Sequence, residues 1–503
     1  MDSYYLSIIV FLPVAGALFV AFWPKLSTKQ IKLFSLFFCL VTFGFSLAIF
    51  AMFDRHGGFQ FEQTVSWIPA IQAHYHLGVD GLSLPMVLLT AFLGLVAVLV
   101  SWKIDKRPRE YFAWLLVLET GILGVFSSLD LILFFLFWEV ELIPMYMLIS
   151  IWGSGRKEYS AIKFVIYTLI GSALMLAGIL LLYFKASPFM DPGQSPLDMV
   201  ALSQAGLNTD LISVLPAIFF LILAAFAIKL PVFPLHTWLP DAHTDAPTAV
   251  SVILAGALLK MGGYGMIRIC VSIFPDVAHK YSALLAAFAV VSVLYGAAMT
   301  MRQKDLKRLI AYSSVSHMGY VMLGIFALSQ VSLTGATLQM FSHGIVTGLL
   351  FAMVGLVYDK THNRNLDQLG GLARQMPVIA VVFSIAGLAS LGLPGTSGFA
   401  AEFITFLGSF TSTLLSGAKL FTLLAASGVV LAAGYILWTL QRTFYGPPLE
   451  RYDHVPDANN LEKVPIFALV IAIMMVGVYP AFLTNVIKGG IDIIGANTHL
   501  FGV

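Results

Sequence analysis

Charge is what this sequence has least of. Only 11% of its 503 residues are Asp, Glu, Lys or Arg, under half the roughly 25% of a soluble domain. Cysteine is nearly absent as well, with Cys39 and Cys270 the whole complement. The two are far apart and form no CxxC, so iron–sulfur, zinc and c-type haem sites lack ligands. No basic patch with interleaved aromatics occurs, and a net charge of +2 gives nucleic acid nothing to bind. The opening MDSYYLSIIVFLPVAGALFVAFW has no lysine or arginine ahead of its apolar run. It therefore reads as a first spanning helix and not as a signal peptide. No polar stretch is long enough to be a soluble domain.

Long apolar runs fill the rest. Hydrophobic residues make up 59% of the chain, and the mean hydropathy is +0.90. Runs of about 20 residues recur from end to end, which is the length a helix needs to cross a bilayer. They predict an all-α polytopic membrane protein, a single membrane domain over 1–503 with about 14 transmembrane helices. The expected spans are 4–23, 31–53, 78–101, 111–127, 129–152, 161–184 and 211–235, then 246–274, 281–301, 305–327, 333–357, 376–410, 417–441 and 464–487. Three N-terminal helices fill 1–110, and a C-terminal helix lies within 446–503. Between them, 111–275 and 280–445 have similar lengths and five helices each. An odd number of spans per unit forces the second to be inverted. In each unit the fourth helix is interrupted by proline: Pro231 and Pro234 in the first, Leu393-Pro394-Gly395 in the second. Paired broken helices in two inverted repeats point to an ion pathway between the halves.

Orientation comes from the basic residues, which stay on the cytoplasmic side. With the N-terminus outside, the inner connections collect 20 of the 28 lysines and arginines, Lys25, Lys103, Arg156 and Arg302 among them. Both termini are then expected outside, and the partner on all sides is the lipid bilayer.

Against this apolar background the buried ionisable groups stand out. A charge at the bilayer centre costs roughly 2.5–3.5 kcal/mol on insertion scales, so such residues face the protein interior and usually act. They are Glu119, Glu139, Glu141, Lys229, Lys260 and Glu402. Lys229 stands two residues before Pro231, beside the break, and Lys260 at the centre of the next span. Glu139 and Glu141 are about 200° apart on a regular helix, so only one is expected to reach the main site. Glu119 is a lone acid, either a protonated packing residue or a participant. His317 and His343 lie inside apolar spans, where a neutral imidazole can pass a proton. His236 and His243 share the segment PLHTWLPDAHTDAP with Asp241 and Asp245, but the spacing matches no standard metal site. The segment reads as a polar plug on the inner face, and no metal site is expected.

Seven stretches carry a resemblance: HLGVDGLSLPMVLL (76–89), FWEVELIPMYMLI (137–149), KFVIYTLIGS (163–172), KLPVFPLHTWLPDAHTDAPT (229–248), LAGALLKMGGYG (254–265), KRLIAYSSVSHMGY (307–320) and LPGTSGFAAEF (393–403). The chain resembles the M-type antiporter-like membrane subunits of respiratory complex I, the proton-pumping NADH:quinone oxidoreductase. The superfamily also includes Mrp-type Na⁺/H⁺ antiporter subunits and membrane subunits of membrane-bound hydrogenases. The resemblance implies proton translocation through two linked half-channels, with Glu139 and Lys229 in the first, Lys260 central and Glu402 terminal. His317 and His343 link them. It implies a subunit of an enzyme with no redox centre or cofactor of its own, the NADH, FMN, iron–sulfur and quinone sites lying in partner subunits. Those partners include L-type and N-type antiporter-like subunits. The implied location is a bacterial inner membrane, or a thylakoid in a photosynthetic organism. Sister subunits carry lysine where this chain has Glu402, and the L-type has a long lateral helix that this chain lacks. On this reading Glu139→Gln is severe and Glu141→Gln mild. The rival readings are an Mrp-type antiporter or hydrogenase subunit, and a haem- or quinone-reducing subunit, for which no facing histidine pair or cofactor motif appears.

Overall fold

The structure, a computed structural model, describes residues 4–498; the extreme termini lie outside the described residues. The helices begin where the sequence supplies a cap. α1 (Tyr5–Phe22) leads to α2 (Thr28–Met52), which opens with a capping box between Ser27 and Gln30. Each of these side chains satisfies a backbone N–H that the first turn leaves unpaired. α3 (Ser83–Val100), α4 (Pro108–Ser127), α5 (Leu131–Val140), α6 (Leu142–Trp152) and α7 (Lys157–Ala186) follow. Pro108 occupies a first-turn position, where its missing donor does no harm. The short α8 (Met199–Gln204) sits in the longest loop, before α9 (Leu215–Lys229) and α10 (Trp238–Asp245). The next span contains α11 (Thr248–Ile253) and α12 (Leu259–Gly265), with π-helical turns at Leu254–Leu258 and Met266–Val271.

The second half comprises α13 (Pro275–Lys280), α14 (Ser282–Met301), α15 (Leu306–Phe326), α16 (Gln330–Thr361), α17 (Pro377–Ser390), α18 (Ser397–Phe410) and α19 (Ala418–Leu440). α20 (Asn460–Val478) and α21 (Ala481–Thr498) close it. Among the described residues, 12 helices are long and apolar enough to cross a membrane. The α9/α10 and α17/α18 pairs, each in two short pieces, occupy the remaining two positions of the expected fourteen. The interrupted elements thus fall where Pro231, Pro234 and Pro394 place them. α11, α12, α15 and α16 are the most enclosed helices, so the core lies along them.

Two features depart from the expected spans. β1 (Gln60–Ile68) and β2 (Ala73–Val79) form an antiparallel hairpin. Its first strand, QFEQTVSWI, mixes five polar residues with four apolar ones, so a 20-residue hydropathy reading passes over it. β2 takes the start of the expected 78–101 span, which begins instead at Ser83. The expected C-terminal span 464–487 is also two helices: α20 ends at Val478, and Tyr479-Pro480 turns the chain into α21. Pro480 has no N–H to continue the α20 ladder. α21 packs against α16 and α8.

The hairpin is fastened to the loops beside it. Isolated bridges join Leu77 to Ser128 and Asp130 to Asp198. His76 Nδ1 lies 2.8 Å from Asp198 Oδ2, and its Nε2 lies 3.2 Å from Glu62 Oε2. Burial opposes the His76 charge, but the two carboxylates outweigh it and raise the pKa from 6.5 to about 9. Asp198 in turn accepts from the Val200 and Ala201 amides and caps α8. A folded pKa above the unfolded one stabilises fully below pH 6.5 and loses that stabilisation as pH rises through about 9. Hydrogen-exchange protection of β2 and α8, corrected for intrinsic rate, is therefore expected to hold below pH 6.5 and decline towards pH 9. A His76→Gln variant should show a flat profile; equal decline in both would remove His76 as the cause.

Candidate proton-transfer site

Lys229 is the last residue of α9, where Pro231 stops the ladder. Trp238 reaches back across the break, donating from Nε1 to the Ile228 carbonyl at 2.9 Å. The Lys229 side chain is buried and donates to Glu141 Oε1, and both groups are essentially sealed from solvent. Its ammonium also lies over the rings of Trp138 (5.1 Å) and Phe164 (5.6 Å). A buried ammonium needs such company, since desolvation is repaid only by close, well-oriented partners.

The acid that bonds Lys229 is thus Glu141, and here the structure corrects the expected pairing. Glu141 sits at the turn between α5 and α6, where Pro144 leaves the Val140 carbonyl without its usual donor. Glu141 is sealed from solvent, whereas Glu139 is half-buried. Glu139 Oε1 is buried with no hydrogen-bond partner among the described residues. Its charge still reaches Lys229.

Lys260 lies on α12, one step past the first π-helical turn, and is fully buried. The widened turn frees the Ala255 carbonyl, to which Lys260 Nζ donates. Its other partner is His343 Nδ1, 2.8 Å away. Gly262 lets this span approach α9: a Cβ there would sit 2.7 Å from both Leu230 N and Phe226 O. Any side chain at 262 would push Lys260 away from the Lys229 break.

From Lys260 buried polar side chains continue towards Glu402. The His343 and His317 rings are 5.7 Å apart between centroids. His317 Nδ1 lies 3.2 Å from Glu402 Oε1, and its Nε2 lies 3.3 Å from Ser390 Oγ. A small cavity of about 10 Å³ is lined by His317, His343, Ser390 and Glu402 among others, room for roughly one water. Glu402 stands on α18, just past the second break. Gly392 (φ +80°) is in that break, and a Cβ there would come within 2.9 Å of Glu402 Oε2.

Of the six residues that the resemblance places in the pathway, Lys260, His343, His317 and Glu402 follow one another in space, while Lys229 centres a second cluster with Glu141. Reading the sequence missed Glu141 as the bonded acid. It also missed Tyr320 and Tyr435, whose buried hydroxyls have no partner among the described residues and whose charge environment includes Glu402. Neither tyrosine carries a local signal, since an aromatic in an apolar span looks like packing. Glu119 lies off the line and accepts from Cys39 Sγ at 3.2 Å. Asp241 pairs with Lys163 at 2.7 Å, and Asp245 accepts from Ser160 at 2.6 Å. His236 instead packs among Phe233 and Tyr295, and His243 on Phe351, so these four residues do not converge.

A helical membrane bundle with two interrupted helices and a buried line of lysine, histidine and carboxylate defines an ion-translocating membrane subunit. The comparisons with known proteins specify which one. The family described as "NADH:quinone oxidoreductase/Mrp antiporter, TM" matches residues 128–432. The chain is 41% identical to NADH-quinone oxidoreductase subunit M of Rhodobacter capsulatus, over 98% of this chain and 97% of that protein. It is 39% identical to the chloroplastic NAD(P)H-quinone oxidoreductase chain 4 of Physcomitrium patens, over 95% of each. Its fold matches a chain of respiratory complex I from Thermus thermophilus with a TM-score of 0.88 at 28% identity, covering 99% and 100% of the two chains. A chain of the Mrp complex from Dietzia matches with a TM-score of 0.86 at 21% identity, a likeness of fold alone. The chain belongs to the membrane-subunit family of NADH:quinone oxidoreductases and Mrp antiporters.

Removing the bonded acid strands a buried ammonium, which typically costs 3–5 kcal/mol. Glu141→Gln is therefore expected to lower the thermal stability of the assembled complex by about 3 kcal/mol, and adding Lys229→Met should restore much of it. Glu139→Gln should stay near the parent. A thermal-shift series on the four variants decides, and a larger loss for Glu139→Gln would contradict the pairing.

Proposed function

We propose that this chain is the M-type antiporter-like subunit of a proton-pumping NADH:quinone oxidoreductase and carries protons across the membrane itself. The observation that carries the reading is the buried series Lys260–His343–His317–Glu402, with 2.8 Å and 3.2 Å contacts at its two ends and the two imidazole rings 5.7 Å apart between them. Its groups are all protonatable, and none needs a redox partner within the chain. The full-length similarity to subunit M and chain 4 proteins supports the same assignment.

In this mechanism Glu141 holds the Lys229 ammonium charged while the two are paired. Neutralising or withdrawing the acid leaves a desolvated lysine that gives up its proton. Glu139, whose charge also reaches Lys229, biases the same equilibrium from the other side of the helix. The released proton raises the positive charge near Lys260, which passes one on through His343 and His317 to Glu402. Moving one charge against the membrane potential costs about 2.3 kcal/mol per 100 mV. A swing of about two pKa units supplies about 2.7 kcal/mol. The two are comparable, so a lysine–carboxylate pair that opens and closes is energetically adequate as a gate. The groups titrate as a coupled set.

The proposed setting is a bacterial inner membrane, or a thylakoid membrane in a photosynthetic organism, with both termini outside. Neighbouring subunits of the complex, including L-type and N-type relatives, supply the redox chemistry. The fold of the Mrp subunit is equally compatible with Na⁺/H⁺ exchange, but the high identity is to quinone oxidoreductase subunits.

Lys229→Met keeps the volume and removes the charge. The complex is expected to assemble but lose nearly all NADH-driven pumping, measured by dye quenching in membrane vesicles; full pumping would end the assignment of Lys229. At the other end, Glu402→Gln keeps the size but cannot ionise, whereas Glu402→Lys still titrates. Pumping at equal expression should be higher with lysine than with glutamine. The reverse order would make Glu402 a hydrogen-bonding cap for the break.

A further inference from the structure

A cavity of about 560 Å³ lies on the basic face, lined among others by Lys103, Lys307 and Arg364. A second, of about 510 Å³, has no charged residue in its lining. It is a groove on the flank of the bundle, beneath the hairpin. α1 contributes Phe11 and Val14, α4 Val117 and Thr120, and α5 the face from Leu133 to Val140. Val65, Trp67 and Tyr75 of the hairpin close one end. Tyr75 is pinned there, its hydroxyl 2.7 Å from Ser7 Oγ in the first turn of α1. From Leu133 to Val140 the helix rises about 10 Å. The groove therefore runs from the hairpin about a third of the way through a hydrocarbon core of about 30 Å.

The lining decides between three kinds of filling. Water needs two to four polar partners. Ser66 and Tyr75 sit at the hairpin end, Tyr75 already bonded to Ser7, and deeper in the groove the Thr120 hydroxyl stands alone. A helix of a neighbouring subunit is about 10–12 Å across, so a length of about 10 Å fills roughly 800–1,100 Å³, more than the groove holds. An extended alkyl chain is slim, apolar and asks for no hydrogen bond. The rim also lacks what a phosphate needs: β1 and β2 contain no lysine or arginine. His76 is already held between Glu62 and Asp198. Val65 and Trp67, 52% and 42% exposed, gain an apolar neighbour when an alkyl chain fills the groove.

We propose that this groove is a lipid site: one acyl chain of a phospholipid from the hairpin-side leaflet threads under the hairpin and lies between α1, α4 and α5. The chain is recognised by shape and apolar contact, and the headgroup stays outside in the interface whatever its charge. The volume falls within the range of about 300–1,000 Å³ that small-molecule sites occupy. By packing against both Trp67 and the α5 face, the chain fastens the hairpin to the bundle. The site is independent of proton translocation and stands or falls without it.

A phospholipid with a photoactivatable diazirine near the end of one acyl chain tests it on the assembled complex in vesicles, the labelled residues being mapped by mass spectrometry. Thr120, Leu133 and Phe137 are at most 4% exposed, so a label on them requires a chain inside the groove. Labelling of all three is expected, with choline and glycerol headgroups alike. Val117→Trp fills the groove and should cut this labelling about tenfold, the effect of a modest overpacking penalty. Labelling of the lipid-facing surface elsewhere should stay unchanged. Val14→Trp fills the groove from the α1 side and serves where the first variant does not assemble. No label on the three buried residues, with the exposed Phe11 and Leu136 labelled or not, would show that a neighbouring subunit fills the groove and overturn the proposal. Labelling undiminished in the tryptophan variants would place the chain elsewhere and overturn it as well. Labelling by the anionic glycerol probe alone would replace chain recognition by headgroup recognition, with the same result.

Discussion

Taking a lysine out of water is the constraint on which the rest of this structure depends. An unpaired ammonium in an apolar interior is so unfavourable that it must find a partner or lose its proton. Lys229 and Lys260 are both sealed from solvent, yet they meet the demand differently. Lys229 has a carboxylate and two aromatic faces. Lys260 has only a carbonyl and an imidazole, neither of which carries a full negative charge. The first arrangement holds a proton while its acid stays close, and the second holds one less firmly.

The interruptions in the helices serve that same need. A regular helix satisfies its own backbone groups and offers a buried side chain nothing. Breaking it at Pro231 and Pro234, or widening it into a π turn before Lys260, exposes carbonyls at depth. Ala255 O receives Lys260, and Ile228 O receives Trp238, so the freed groups are used and not abandoned. Close approach matters as much: Gly262 and Gly392 hold positions where a Cβ would crowd the neighbouring helix backbone or the Glu402 carboxylate.

Away from the line, the fold is tied down on the hairpin side by charge as well. Arg268 is buried and donates to Asp80 Oδ1 at 2.5 Å, while Asp80 also accepts from the Leu82 and Ser83 amides at the start of α3. The span that carries Lys260 is thereby anchored at one end, eight residues beyond the lysine, to the loop between the hairpin and α3. On the opposite face, Glu462 receives both Lys103 (2.6 Å) and Lys360 (3.0 Å), fastening α20 to α16 and to the loop after α3.

Much of this was legible in the residues alone. Hydropathy over 20 residues located the spans because bilayer thickness imposes that length on any helix. Proline located both breaks because its ring forbids the ladder wherever it sits. Lys229, Lys260, His317, His343 and Glu402 could be singled out because a polar group in an apolar run is conspicuous without any knowledge of its neighbours. Pairing is another matter. Whether Glu139 or Glu141 meets a lysine 88 residues away in the chain depends on how α5 and α6 are rotated against α9, and no local pattern encodes that rotation. The hairpin escaped because its strands are short and of mixed polarity, and α21 because the apolar run continues across the Tyr479-Pro480 turn. The cavity of about 560 Å³ could not be read at all: its walls come from seven separate segments between Leu99 and Ile466, and only packing brings them together.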